Sequence, residues 1–583
     1  MLPFDDSRRL TGPNPYFAVP GAALESVGIA VDTAMLERWR ANIVRMRAVL
    51  GWPADEPVVA RPHASGASLA FAAPPDRLLC ATEVNEWAWG AACERDVGHA
   101  PGHPATWDIE LAQHTLAALA ADEAIPALKA WLDAAARHRV PVLLGEDLLS
   151  LGSGEGGIDI PLSELAAAPQ PDWDRLRSVP TAVVTGSNGK TTTVRLIAAM
   201  QRAIGRRVGY SCTDGLFVEG HSLDSGDYSG PIGARTVLRR RDIDAAVLET
   251  ARGGLLRRGL ALQQADVAVV TNISADHFGE YGVHSVADLA RVKLTVAQVV
   301  RDRGSDPTPT PGLLVLNADD AQLRAAAAAD VAVPIGWFSL EAADPFLHQH
   351  ASHSPACVQR DGALWLHPGG VAAAGIHLGD VADMPLTLQG VARYNIANLA
   401  GAALAGFALG VPAQVIAAVL ADFGNANHDN RGRLERWNIG GVQVLLDYAH
   451  NPEGLAGLLD VAGALRGDGR LGLILGHAGN RLDDDFRALA QVAARHRPDR
   501  VVLKDIAGYE RGRSSGEIAA MMRQTLQADG LAPDAIHFIA DETAATAHLL
   551  DWAESGDILV LPIHGFAAKD AIIPMLDALA AGR

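Results

Sequence analysis

The stretch VVTGSNGKTTTVRLI, Val183 to Ile197, constrains this chain more than any other. A β-branched run, a turn of small residues and a segment opening on Lys-Thr-Thr-Thr predict a strand, a tight turn and a helix. Backbone N–H groups at such a helix start point into the turn, and the helix dipole adds partial positive charge there, so the unit suits phosphate. The common phosphate-loop pattern requires glycine five residues before Gly189, where this chain has Val184, so the loop is a shorter variant. Gly186, Asn188, Gly189, Lys190, Thr191 and Thr192 are the nucleotide-binding candidates, with Thr191 or Thr192 available to a magnesium ion. A ligand-free glycine turn is the alternative, and it leaves the Lys-Thr pair after the turn without a purpose.

Around this stretch the runs TAVVT, AAVLET, VAVVTN and LLVLN alternate with helical segments, which predicts a parallel sheet buried on both faces. A second series, VQVLLDYAH, GLILGHAG, DRVVLKD and DILVLPIHG, follows the break at NHDNRGR and predicts another α/β unit. Before Thr181 the texture differs: an Ala-rich helical stretch from Leu111 to Ala136, then the turn-rich GSGEGG and the linker-like AAAPQPDWD. At 583 residues the chain exceeds one hydrophobic core and should hold about three or four domains. The expected division is 1–175, 176–428 and 429–583, with a hinge at 427–432. Residues 333–390 are expected to form small strands, and RDRGSDPTPTPG a surface loop. Trp87 and Trp89, two apart, predict a packed strand face, and His99 and His103 a loop.

A formal charge of −19 argues against a nucleic-acid partner, which needs basic surface to release counterions. The four cysteines are scattered, with no C-x-x-C pair for zinc or a disulfide framework. No apolar run spans a bilayer and MLPFDDSRRL lacks a signal-peptide core, so a cytoplasmic location is expected.

Further polar groups fall where predicted strands end, the place where α/β sheets bind ligands. AAVLETARGGLL delivers Glu249 into a glycine-rich turn, where it can hold magnesium or, alternatively, pair with Arg252 at the surface. VAVVTNISADHFGEYG carries Asn272, Asp276 and His277, and DLARVKLTV presents Lys293. LQGVARYNIANLAGAAL offers Asn395, GRLE offers Arg433, and VLLDYAHNPEGL offers Asp447, His450 and Asn451. In GHAGNRLDDDF and LKDIAGYERGRSSGEI, Arg481, Arg511 and Arg513 can grip a carboxylate, while Asp484 and Glu517 can meet a cationic side chain.

The sequence G-S-N-G-K-T-T after a strand resembles the ATP loop of the Mur ligase superfamily, and the later motifs fall in that family's order from Val179 to the C terminus. LETARGG and ERGRSSGEI resemble the cyanophycin synthetase branch. The resemblance implies a multidomain α/β Mur ligase architecture. A central P-loop-type parallel-sheet ATPase domain is joined to a C-terminal Rossmann-like α/β domain, with a separate N-terminal α+β domain of unassigned role. It implies an ATP- and Mg2+-dependent ligase that forms amide bonds through an acyl phosphate. Glu249 matches the metal-binding glutamate, His277 approaches a second metal, and Asn395, Arg433 and Asp447 serve ATP. Lys293 matches the lysine that many members carry as a carbamate, where carbamylation inverts its charge to suit metal; an unmodified lysine contacting phosphate is the alternative.

Implied partners are a small-molecule or peptide carboxylate acceptor and an amino acid, and a homo-oligomer is compatible with the family. About 175 residues before the Mur half are too few for an N-terminal and an ATP-grasp domain together. The acceptor is therefore expected to be made elsewhere, for instance by a separately encoded ATP-grasp partner. Muramyl-peptide or folylpolyglutamate-type ligation, and a nucleotide-binding scaffold without catalysis, are the competing readings. An unrelated P-loop kinase would explain none of the motifs after Lys190.

Overall fold

The structure is a computed structural model and describes residues 4–93, 109–276, 278–301, 312–426, 428–479 and 481–582. His99, His103, His277, Asn427 and the loop expected after Arg301 lie outside them.

The β-branched runs form a sheet whose two faces are both covered, which is why their apolar residues run continuously rather than alternating with polar ones. Val183 packs with Leu248, Ala268 and Leu314 on one face. Its neighbours Ala182 and Val184 pack on the other with Val247 and Val269, beneath the helices Lys190–Ala203 and Arg393–Ala408. Among the described residues this sheet has eleven strands. Its parallel part runs, in spatial order, Val208–Cys212, Ala245–Glu249, Thr181–Thr185, Val267–Val270, Leu313–Asn317, Ile335–Ser339 and Ala356–Arg360. Antiparallel strands finish both edges. The small strands expected in 333–390 are thus the outer part of this sheet, Ile335–Ser339 to Ile376–Asp380. Because Thr181–Thr185 lies between Ala245–Glu249 and Val267–Val270, three carboxyl ends open side by side.

The second series of runs makes a six-stranded sheet in the order Glu435–Ile439, Val442–Asp447, Ile558–Pro562, Leu471–Leu475, Arg500–Leu503, Ile536–Phe538. Its first pair is antiparallel and the rest are parallel. The carboxyl ends of Val442–Asp447 and Leu471–Leu475 lead into segments that face the phosphate-loop end of the central sheet.

The N-terminal region has an antiparallel sheet, Asp6–Leu10, Gly21–Val27, Gly66–Ala72 and Val58–His63, and helices Thr33–Leu50, Leu78–Ala92 and Ile109–Glu123. Trp87 and Trp89 do not line a strand face. They sit in the helix Leu78–Ala92, 3% and 0% exposed. That helix is apolar nearly all round and buried between sheet and helices, so residues two apart both find a packing surface. The turn-rich GSGEGG joins two strands of a small sheet, and Glu155 N–H donates to Ile243 O at 2.9 Å on the central domain.

Candidate active site

The predicted strand, turn and helix are Thr181–Thr185, Gly186–Gly189 and Lys190–Ala203. Gly189 takes φ +81°, and a side chain there would collide with the Asn398 amide, so glycine is required both by conformation and by space. Asn398 is a packing residue: its Nδ2 donates to Asn395 Oδ1 at 3.1 Å. Asn188 is held from several directions. Its N–H donates to Asn272 Oδ1 at 2.8 Å, its carbonyl accepts from Thr271 Oγ1 at 2.6 Å, and its Oδ1 accepts from Asn451 Nδ2 at 2.9 Å. Asn272 therefore holds the turn through its backbone.

Glu249, at the end of the adjoining strand, has no exposed surface. Its carboxylate accepts from Thr191 Oγ1 at 2.8 Å and Thr213 Oγ1 at 2.7 Å. The alternative pairing with Arg252 is not formed, since Arg252 bridges to Glu280 at 2.6 Å. Lys190 Nζ donates to Ser187 O at 3.1 Å, and buried Lys293 Nζ donates to Gly186 O at 2.7 Å. Burial, and then the charge of Lys190, push the Lys293 pKa well below that of an ordinary lysine.

These groups line one cavity of about 690 Å³ between the central and C-terminal domains. Arg433, Asp447 and His450 enter it from the C-terminal side. Arg433 lies 4.7 Å from the Tyr448 ring centre and 3.3 Å from Asp214. Asp447 accepts from Leu434 N–H at 2.7 Å; burial raises its pKa against the lowering effect of Arg433. His450 and Arg481 both reach Asp276, at 3.4 Å and 3.2 Å. Burial alone would raise the Asp276 pKa, but the His450 hydrogen bond and the His450 and Arg481 charges outweigh it and hold the carboxyl well below its usual range. Arg511 lines the cavity from an exposed loop, 5.3 Å from the Tyr509 ring centre.

Several sequence candidates lie elsewhere. Asp484 is 92% exposed and pairs with Arg487 at 2.7 Å. Glu517 accepts from Ser514 N–H and from Arg513, each at 3.0 Å. Arg513 is engaged by Asp483 at 2.7 Å as well. Both acids occupy the first turn of a helix, Asp483–Arg495 and Glu517–Ala528, where the dipole favours negative charge without any ligand. Asn451 caps the helix Pro452–Leu465 through Gly454 N–H at 2.8 Å, so it reaches the site only by way of Asn188.

Sequence reading missed Thr213 and Asp214. Asp214 gathers Arg195 at 2.9 Å, Arg433 and Lys569, tying the two domains together. The signal was present: the pair directly follows the parallel strand Val208–Cys212, the kind of position already used to find Glu249. Tyr394, directly before Asn395, has a buried hydroxyl beside the cavity with no hydrogen-bond partner among the described residues; burial, then the Asp447 charge, push its pKa well above 10.0.

With this geometry in place, similarity to known proteins becomes informative. The Mur ligase middle domain matches residues 184–406, and the Mur ligase, glutamate ligase domain matches 432–562. Cyanophycin synthetase of Crocosphaera subtropica is 35% identical over 405 residues, 69% of this chain and 44% of that protein. The chain belongs to the Mur ligase family. Cyanophycin synthetase of Synechocystis sp. is 36% identical over 66% of this chain and 42% of its own length. UDP-N-acetylmuramoyl-L-alanyl-D-glutamate–2,6-diaminopimelate ligase of Ectopseudomonas mendocina is 27% identical over 74% of this chain and 83% of its own. This Mur ligase chain thus spans less than half the length of the cyanophycin synthetases it matches. No helix among the described residues is long and apolar enough to cross a membrane.

Proposed function

We propose that this ligase activates an acceptor carboxylate as an acyl phosphate and then joins it to the amino group of an amino acid. The reading rests above all on one observation: Lys190 and the Thr191 hydroxyl open a helix beside the buried Glu249 carboxylate, at the carboxyl ends of adjacent parallel strands. ATP phosphates fit the turn, whose amides and Lys190 bind them, while the uncommitted Tyr394 hydroxyl is available to the same ligand.

No group of three or more acidic, His or Cys residues able to hold a metal is present among the described residues. That suits magnesium, which is usually held by one or two carboxylates together with phosphate oxygens and water. Thr191 and Glu249 would hold it, and bound there it supplies charge neutralisation to the phosphates. Lys293, disposed by burial toward the neutral amine, can attack carbon dioxide, forming an N–C bond and releasing one proton; the resulting carbamate is an anion beside the phosphate loop.

The acceptor carboxylate then attacks the γ-phosphorus, ADP leaves, and the amine displaces phosphate from the acyl phosphate. Lys190 binds the charge that grows on the transferring group, and Arg511 orients the carboxylate of the incoming amino acid. The likeness to cyanophycin synthetase supports an aspartate- or glutamate-containing acceptor, with arginine or lysine as the amines to try first. Asp484 and Glu517 lend that choice of amine no support, because neither reaches the cavity.

The test is phosphate release from ATP with an aspartyl peptide and each amino acid, with UDP-muramyl precursors in parallel. Product only from the muramyl precursors would replace the acceptor assignment. No release with any pairing would leave a nucleotide-binding scaffold.

A further inference from the structure

The N-terminal antiparallel sheet lies outside both matched domains, yet it touches the part of the central domain that walls the cavity. Arg8, 5% exposed, donates through Nε to Leu256 O at 2.8 Å, and its other end pairs with buried Glu25 at 2.7 Å. Its guanidinium carbon stands 4.5 Å from the centre of the Tyr281 ring. Tyr281 in turn accepts from Arg257 Nε at 3.1 Å and holds φ +54°, a backbone state that costs a tyrosine energy and persists only where its surroundings enforce it. Next to it, Gly282 at φ +69° lies so close to the sheet that a Cβ would stand 2.8 Å from His63 Cδ2 and from Ser68 Oγ. Ser65 Oγ then bonds His284 Nε2 at 3.1 Å.

The segment held this way, 278–285, carries Glu280, which lines the cavity and pairs with Arg252 at 2.6 Å. It leads directly into the Ser285-capped helix Val286–Lys293, which ends on Lys293. Leu256, gripped by Arg8, belongs to the same short helix Arg252–Arg257 as Arg252. The sheet therefore supports both partners of the Glu280–Arg252 pair.

We propose that the N-terminal sheet is the backstop of this wall, with Arg8 as a positioning residue that fixes segment 278–285 so that Glu280 meets Arg252 and Lys293 meets the phosphate loop. Arg8 touches no substrate; it acts through Tyr281 and Leu256. The kinetic part of the test rests on the ligase reading, whereas the exchange part does not.

The full chain carrying Arg8→Met and Glu25→Gln together keeps side-chain volume and removes both charges of the buried pair at once. Hydrogen exchange should rise about tenfold in 278–285, with the strand Gly66–Ala72 still protected. ATP turnover should show kcat lower by about tenfold with KM for ATP unchanged within about twofold, the mark of lost positioning rather than lost binding. Unchanged exchange in 278–285, in a chain whose N-terminal sheet remains protected, would overturn the proposal, whatever happens to turnover. Should that double variant lose protection throughout the N-terminal sheet, Ser65→Ala decides instead, since it removes only the half-buried hydroxyl that bridges His63 and His284. A rise in 278–285 exchange supports the backstop and no rise overturns it. A wild-type chain with no ATP turnover would defeat the ligase reading and leave the exchange result to stand by itself.

Discussion

At the end of the cavity proposed for phosphate, Glu249 has no exposed surface and two threonine hydroxyls hold its carboxylate; at the end proposed for the amine, Arg511 stands on an exposed loop over the Tyr509 ring. The first set is placed by strand ends and a helix start, elements whose geometry the core fixes before any ligand arrives. The second is placed by a loop, and among the described residues its side chain has one aromatic face for company. A preorganised site contributes its electrostatics without reorganising, so substitutions at the phosphate end should cost far more than those at the amine end.

The largest effect expected is for Lys190→Ala. It removes the charge that meets the transferring phosphate, and turnover should fall by at least about a thousandfold. Thermal stability should stay nearly the same, because among the described residues the Lys190 ammonium has one hydrogen-bond partner, the Ser187 carbonyl. Near-normal phosphate release from a folded variant would remove the phosphate loop from the mechanism.

Lys293→Ala should lose about a hundredfold in kcat and recover part of it with added short carboxylates, which replace the anion in the space left by the side chain. Depleting carbon dioxide should slow the wild type and leave the variant as it is. Rescue that fails while activity stays high would make Lys293 a packing lysine, and the comparison between the two ends would weaken accordingly.

These two lysines also show what could be read from sequence. Lys190 was legible because strand, small-residue turn and hydroxyl-rich helix form one local pattern, and Glu249 because it ends a β-branched run. Thr213 and Asp214 sit at an equivalent strand end but in the short run VGYSC, with no glycine-rich turn behind them to attract attention. The contacts at Asp276 could not be read at all, since His450 and Arg481 come from about 170 to 200 residues away and meet it only when two domains pack. Asp484 and Glu517 failed for the opposite reason: acids in a first helical turn satisfy a local rule, and the same letters then look like a binding site. The tryptophans misled through period, because a helix buried on all sides erases the difference between spacings of two and of three or four.

Between the two ends, Asp276→Asn breaks the bridge from the central domain to His450 and Arg481. About a tenfold loss in kcat/KM for the amine is expected, with KM for ATP little changed. The pH dependence has a definite sign. The folded-state carboxyl of Asp276 titrates below its ordinary 3.8, so its contribution to stability is complete above that value and is lost as pH falls through the folded pKa. Acid unfolding followed by circular dichroism should therefore be less steep below about pH 4 in Asp276→Asn than in the wild type, with parallel curves at neutral pH. Identical acid limbs would show that the bridge does not form in solution.

The smallest pair of effects tests the amine end itself. Arg511→Ala should raise KM for the amino acid about fivefold to tenfold and leave kcat nearly as it was, because an exposed guanidinium on a loop contributes one solvent-screened contact with a carboxylate. Asp484→Ala should change neither constant by more than about twofold, since an exposed i,i+3 pair with Arg487 contributes roughly 0.3 to 0.5 kcal/mol and only to its own helix. The two variants need to be compared with arginine, lysine and a neutral amino acid as amine. If Asp484→Ala raises KM selectively for the basic amines, the start of the helix Asp483–Arg495 must approach the cavity during turnover, and the amine end is then assembled by substrate rather than merely sparse. If Arg511→Ala is silent with every amine, the carboxylate of the incoming amino acid is held by another residue of the cavity, Arg481 being the next to test.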